Sequence, residues 1–313
     1  MLNRLRSILL HINSKEVNKL QGELQVYVDG KFYTKSEAKV SVYDHGLLYG
    51  DGVFEGIREY NGVVFKLKEH IERLYDSAHA MMLDIPLTRE AMTDAVVATL
   101  RKNQMRDAYI RLVVTRGVGD LGLDPRKCPK PSVIIITDTI NVHSDDAKTK
   151  GISTIISWTR RDPVDATSHE VKSLNYLNSV MAKLEANIAG VDEAICLDRN
   201  GNVCEGVGEN LFIVKKNKIY TPPTSVGALP GITSNAVIAL AKHLGYEVYE
   251  ANLTPYQLFN ADESFFSGTA VEVVPIREVN KRQIGSTTPG PVTKKIMAEF
   301  QKLTLDPNQG VRA

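Results

Sequence analysis

Lys172 is the first residue of this chain to question chemically. It lies in Glu170-Val171-Lys172-Ser173-Leu174-Asn175-Tyr176, ahead of a predicted helix that Ser173 or Asn175 can cap. The positive end of a helix disfavours a protonated amine, so a lysine there gains nucleophilic character towards a carbonyl. Tyr176, four residues on, can turn its phenol to the same place. Taken alone, the fragment reads as a solvated surface lysine, the commoner state. A second fragment is Ala228-Leu229-Pro230-Gly231-Ile232-Thr233-Ser234. Pro and Gly stop the chain, and Thr233 and Ser234 begin a helix. Free N–H groups beside hydroxyls make an anion site suited to phosphate, or simply a capped helix start.

Two further stretches carry polar or aromatic groups at unusual density. From Asn200 to Phe212, Glu205 and Glu209 sit among Gly201, Gly206 and Gly208. Glycine lets the backbone approach a ligand closely; the alternative is a loop of solvated acids. A two-residue Asn200-Gly201 turn sets Leu197 opposite Cys204 and Cys196 opposite Glu205, which sends Cys196 and Cys204 to opposite faces and disfavours a disulfide. Tyr43 to Arg58 is aromatic and broken by glycines, as a pocket wall can be. Arg73 follows Glu69 by four residues, which by itself reads as an ion pair on a helix surface. No G-x-G-x-x-G runs from a strand into a helix, and no P-loop, G-x-S-x-G or zinc-spaced His/Cys cluster occurs.

These groups need a scaffold, and the pattern predicts one of mixed type. Strands are predicted over 24–28 and 31–33 around an Asp29-Gly30 turn, and then over 108–115 and 131–137. Helices fit 65–82 and 86–103, the second opened by Thr88. Residues 141–150 are polar, without apolar period, and read as a linker. Beyond it come a strand at 152–159, a helix at 175–190 closed by Gly190, and a hairpin at 194–205. Short strands at 211–214 and 218–221, a helix at 234–244, a strand at 263–268 and a helix at 292–303 complete it. Single helices do not regularly follow single strands, so the fold class is α+β rather than one doubly wound sheet. The expected division is an extension at 1–22, a small α/β domain at 23–138, a linker at 139–150 and a larger domain at 151–313. In the extension, Leu2, Leu5, Leu9 and Ile12 share a helical face beside basic residues and no acid. An extra helix or an early start codon is expected there rather than a targeting segment.

Composition narrows the class. The 313 residues carry 38 Lys+Arg against 37 Asp+Glu, a net +1, which gives no electrostatic reason to expect a nucleic-acid partner. At 43% hydrophobic and 24% charged the chain is an ordinary globular one. No run nears the ~20 apolar residues of a spanning helix. Three cysteines in so long a chain do not suggest a disulfide scaffold, so a cytoplasmic protein with no membrane partner is expected.

In order, the motifs resemble one family, the class IV (fold-type IV, D-amino acid aminotransferase-like) pyridoxal-phosphate aminotransferases, and within it the branched-chain amino acid aminotransferases of the archaeal type. The resemblance rests on Tyr43 to Arg58, Glu69 to Leu74, Tyr109-Ile110-Arg111, Lys172 to Tyr176, Glu205 to Phe212, Leu229 to Thr233 and Ser267-Gly268-Thr269-Ala270. It implies pyridoxal 5'-phosphate held covalently by Lys172, the one catalytic residue. It implies Glu205 beside the pyridine nitrogen, Tyr176 on the ring oxygen and Leu229 on the ring. Arg73, Ile232, Thr233 and Thr269 would hold the phosphate. For substrate it implies a wall of Tyr49, Phe54 and Gly56, the pair Tyr109 and Arg111, with Arg111 on a distal carboxylate, and the backbone of Thr269 and Ala270 near the α-carboxylate. No metal is implied. The expected reaction moves the amino group of L-leucine, L-isoleucine or L-valine to 2-oxoglutarate in ping-pong order. A D-amino acid or (R)-amine aminotransferase, or an aminodeoxychorismate lyase, would share the cofactor residues and differ in the pocket. A non-catalytic binding protein on the same scaffold is disfavoured by the full set of cofactor residues. Tyr49 serving a neighbouring chain implies a homodimer or a larger homo-oligomer such as a hexamer. The family's extra pocket aromatic is missing from Thr139-Ile140-Asn141-Val142.

Overall fold

A computed structural model describes residues 23–144 and 146–313. The helix expected within 1–15 lies outside the described residues.

The described residues open with a hairpin, β1 (Gln25–Val28) and β2 (Lys31–Thr34), turned at Asp29 and Gly30, both at positive φ. A short helix α1 (His45–Tyr49) leads into β3 (Gly52–Tyr60) and β4 (Val63–Phe65). Helices α2 (Leu67–Ala80) and α3 (Arg89–Asn103) follow, and Thr88 caps α3 by accepting from Ala91 N, as its spacing predicts. Strands β5 (Tyr109–Thr115) and β6 (Ser132–Asp138) complete the first half. The first sheet runs β15-β4-β3-β5-β6-β1-β2, antiparallel throughout, where β15 is the returning C-terminal strand Gly310–Arg312. The apolar faces of α2 and α3 close one side of it around Ile57, Leu74, Val96 and Leu112.

The short helix α4 (Ala147–Lys150) precedes β7 (Ile152–Ile156), then come α5 (Leu177–Ala189) and β8 (Glu193–Ile195). β9 (Asn210–Lys215), β10 (Lys218–Thr221), α6 (Ile232–His243), β11 (Val248–Glu250) and α7 (Pro255–Phe259) follow. β12 (Glu263–Gly268), β13 (Glu272–Val279), β14 (Arg282–Gln283) and α8 (Pro291–Leu305) complete the chain before β15. The second sheet runs β11-β10-β9-β12-β13-β7-β8 with parallel pairs at β10/β11, β13/β7 and β7/β8. α6 and α8 cover one face through Val237, Ile296 and Phe300. The fold is mixed α+β, as expected.

Local expectations fail in two places. The helix after Lys172 starts at Leu177 and not at 175, and Tyr176 is its uncapped first boundary, so neither Ser173 nor Asn175 caps it. Residues 172–174 are instead extended against β3: Phe54 N donates to Lys172 O at 3.0 Å and Leu174 N to Gly52 O at 2.9 Å. Pairing with a strand overrides the capping signal. The hairpin at 194–205 also differs. Asp198 Oδ1 accepts from the N–H of both Asn200 and Asn202 at 2.8 Å, which widens the turn, and Leu197 pairs with Val203 rather than Cys204. Cys196 O accepts from Cys204 N at 2.9 Å while Cys196 N donates to Glu205 O at 2.8 Å, so the expected Cys196–Glu205 facing is kept and Cys204 joins it; both cysteines are free.

Candidate active site

Strand alternation decides what β3 and β5 offer. Gly56 lies opposite Arg111 and Arg58 opposite Tyr109, so Phe54, Gly56, Arg58, Tyr109 and Arg111 share one face. The other face, with Glu55, looks to α2. There the fully buried Glu55 meets two residues of that helix. Arg73 grips it as a fork, Nε to Oε1 and Nη2 to Oε2 at 2.8 Å each, and His70 Nδ1 lies 2.7 Å from Oε2. Burial alone would raise the Glu55 pKa, but the charge of Arg73 and the hydrogen bonds from Arg73 and His70 bring it down to about 2. Burial lowers that of His70, which leaves its ring neutral. The Glu69–Arg73 surface pair that the spacing alone suggests does not form; Glu69 pairs with Lys66 at 3.0 Å. Arg73 Nη1 donates to the Pro230 carbonyl at 2.8 Å, and this guanidinium has further N–H groups at the cleft.

Pro230 leads into α6, which starts at Ile232, before the expected 234, with Gly231 as its N-cap. A Cβ at position 231 would overlap Asn210 Oδ1, so only glycine lets the helix start this close. The first intrahelical bond runs from Asn235 N to Gly231 O, which leaves the N–H groups of Ile232 and Thr233 for the cleft they line. Ser267 and Thr269 line the same end. Ser267 Oγ is fully buried and has no hydrogen-bond partner among the described residues.

Lys172 lines the other wall. Its Nζ donates to Tyr176 Oη at 2.9 Å and stands 4.4 Å from the centre of the Phe54 ring. Phe54 and Tyr176 meet edge to face at 5.0 Å, fixing both rings. At the far end the buried Glu205 accepts from Leu229 N at 2.9 Å and lies 3.2 Å from Arg161 Nη2. Asn210 Nδ2 ties Glu205 Oε2 (3.4 Å) to the Leu229 carbonyl (2.8 Å). Tyr109 covers Gly56 so closely that any Cβ there would overlap its hydroxyl, and Arg111 Nη2 donates to that hydroxyl at 3.0 Å. The Arg111 guanidinium lies 4.6 Å from the Phe54 ring. Arg58 Nη1 donates to the Ala270 carbonyl at 3.2 Å and fixes the Thr269-Ala270 turn from behind.

One cleft thus gathers Phe54, Gly56, Arg73, Tyr109, Lys172, Leu229, Ile232, Thr233, Thr269 and Ala270 along its walls, with Tyr176, Glu205 and Arg111 bonded to or packed on them. Tyr49 is elsewhere. It borders a separate surface cleft with Leu47, Leu177 and Met181. Sequence reasoning gave no role to Glu55, Asn210, Arg161 or Ser267. Asn210 and Ser267 stood inside motifs already quoted. Nothing along the chain links Glu55 to Arg73 or Arg161 to Glu205, because only the fold brings them together.

The cleft can hold a phosphate at one end, an acid-facing ring at the other and a reactive amine between. Residues 52–279 match the model of the amino-transferase class IV family. A Methanocaldococcus jannaschii protein, named provisionally as a branched-chain-amino-acid aminotransferase, is 56% identical over 281 residues, 90% of this chain and 96% of that one. The crystal structure of an Escherichia coli branched-chain amino acid aminotransferase superposes with a TM-score of 0.87 at 39% identity, covering 90% of this chain and 94% of that one. The branched-chain amino acid aminotransferase from Thermobaculum terrenum, solved in its PLP-bound holo-form, gives 0.82 at 27% identity, over 92% and 95%. The chain therefore belongs to the class IV aminotransferases, enzymes that work with pyridoxal 5'-phosphate.

Proposed function

We propose that this aminotransferase moves the amino group of L-leucine, L-isoleucine or L-valine to 2-oxoglutarate. The observation that carries the reading is the pairing, on one sheet face, of a wall of Phe54, Gly56 and Tyr109 with the Arg111 guanidinium, which lies 4.6 Å from the same Phe54 ring that Lys172 Nζ approaches at 4.4 Å. A site that alternates between a branched apolar side chain and a carboxylate-tipped one needs that combination. The names of the similar proteins support it.

The residues fit the cofactor. A buried hydroxyl at Ser267 without a partner among the described residues, in one cleft with Arg73, Thr233, Thr269 and the free N–H groups of α6, suits a phosphate. Glu205 suits a pyridine nitrogen, Tyr176 the ring oxygen, and Leu229 the ring. When bound, pyridoxal phosphate supplies an aldehyde to take the amino group and a ring to draw electrons from the reacting carbon. Lys172 Nζ would hold the cofactor covalently and, when free, would move the proton at the substrate Cα. Tyr176 Oη, in contact with that amine, keeps it oriented between transfers. The backbone of Thr269 and Ala270, braced by Arg58, receives the α-carboxylate.

We also propose a homodimer or larger homo-oligomer. Leu177, Val180, Met181, Leu184 and Ile188 form an exposed apolar stripe along α5, with Leu47 and Tyr49 beside its start. A second copy seated there would bring Tyr49 towards the neighbouring cleft. Two domains joined through 139–150, with the chain end returning to the first sheet, and a cytoplasmic location suited to three free thiols belong to the same reading. Among the described residues no helix is long and apolar enough to cross a membrane.

The test is a donor panel on both enantiomers with 2-oxoglutarate fixed as acceptor. L-branched-chain donors should lead. A preference for D-amino acids or primary amines, or pyruvate release from 4-amino-4-deoxychorismate, would replace the reading.

A further inference from the structure

Arg161 lies behind the acid of the cleft at 1% exposure. Its Nη2 is 3.2 Å from Glu205 Oε1 and donates to the Gly206 carbonyl at 2.6 Å. Its Nη1 donates to Ser179 Oγ at 3.1 Å and Asn178 Oδ1 at 3.2 Å, so the first turn of α5 holds the guanidinium in place. Glu205 Oε2 is engaged by Leu229 N and Asn210 Nδ2. The acceptor capacity left to Glu205 is therefore on Oε1, the oxygen that Arg161 touches.

The other titratable groups near this pair are His169, Tyr176, Cys196, Cys204 and Glu209. Burial lowers the pKa of His169 and raises those of both thiols. Burial and the nearby Glu193 push Glu209 up to about 8. Each of these shifts favours the uncharged form near neutral pH, and Arg161 is the cation against Glu205. Burial works against that charge, and Glu205 is the foremost of the groups that together hold the guanidinium pKa above its ordinary value.

We propose that Arg161 is a positioning residue that keeps Glu205 an ionised, aimed acceptor, so that the proton shared between Glu205 and the pyridine nitrogen of the cofactor stays on the nitrogen. The inference rests on the reading of the cleft given above. The physical reason is the cost of a buried carboxylate without its cation: a desolvated Glu205 takes up the proton itself, and the ring loses the positive charge that makes it an electron sink.

The experiment uses holoenzyme loaded with pyridoxal phosphate isotopically labelled at the ring nitrogen, followed by nitrogen NMR against pH. The wild type should show a protonated ring nitrogen across the neutral range. In Arg161→Met the apparent pKa of that nitrogen should fall by about one unit or more, a tenfold change in equilibrium. Arg161→Lys should restore most of it. In Glu205→Gln the nitrogen loses its proton, and adding Arg161→Met should change nothing further, since Arg161 acts through Glu205. A folded Arg161→Met protein with a wild-type nitrogen titration overturns the inference. Should that variant not fold, Ser179→Ala, which frees one hydrogen bond of Nη1, must shift the signal in the same direction; an unmoved signal there overturns it equally. Failure of the wild type to take up labelled cofactor at Lys172 would sink the reading of the cleft instead.

Discussion

Replacing Glu55 with Gln keeps the shape of the buried residue and removes its charge, which leaves the Arg73 fork and His70 facing an amide. The folded-state pKa of Glu55 is held at about 2 against an ordinary 4.5. At about 1.36 kcal/mol per unit, that depression is worth about 3 kcal/mol of stability. The residue is fully buried, so solvent screening takes little from it. The sign follows from a lowered pKa: the contribution is fully present above the unfolded value near 4.5 and is lost as pH falls towards about 2. Glu55→Gln should therefore cost on the order of 3 kcal/mol at pH 7, in the range for breaking a buried pair. The gap between wild type and variant should close between pH 4.5 and about 2. Urea denaturation followed by circular dichroism over that range measures both quantities. A gap below about 1 kcal/mol at pH 7, or one that does not change with pH, refutes the assignment of Glu55 as an ionised, stabilising partner of Arg73.

Lys172→Ala should abolish turnover and the yellow colour of the holoenzyme, and borohydride should fix the cofactor to the peptide holding Lys172 in the wild type; a label elsewhere ends the assignment. Arg111→Ala should raise the KM for 2-oxoglutarate by roughly tenfold or more, the loss of one charged hydrogen bond, and that for leucine much less. Equal effects on both would remove Arg111 from acceptor recognition. Gly56→Ala forces a methyl against the Tyr109 hydroxyl and should lower kcat/KM for leucine by roughly tenfold or more. Tyr109→Phe in the same chain should recover part of it, and a harmless Gly56→Ala would show that this wall yields.

Much of the site was legible because its chemistry is written in short contiguous motifs. Lys172 and Tyr176 do meet, at 2.9 Å, but the segment between them is extended on β3, so the contact comes from strand pairing and not from the helical spacing that suggested it. Gly231 to Thr233 announced a helix start by turn chemistry alone. β3 was not legible as a strand: it is buried on both faces, so its residues show no alternation of apolar and polar. The same burial hid Glu55, whose partners lie 15 and 18 residues away on α2. The turn at Asp198 misled because a side chain, Asp198 itself, supplied the acceptor that a two-residue hairpin does not need.

Residue types and spacings settled which groups this chain could use and the mixed class of the fold, since those depend on intrinsic chemistry and on local period. Partners far apart in the chain were decided by tertiary structure alone: Glu55 for Arg73, Arg161 for Glu205, Asn210 for Leu229, and the displacement of Tyr49 from the cleft. Charge pairing inside a core depends on which strand faces which helix, and that is set by sheet register and packing that no short window of sequence contains.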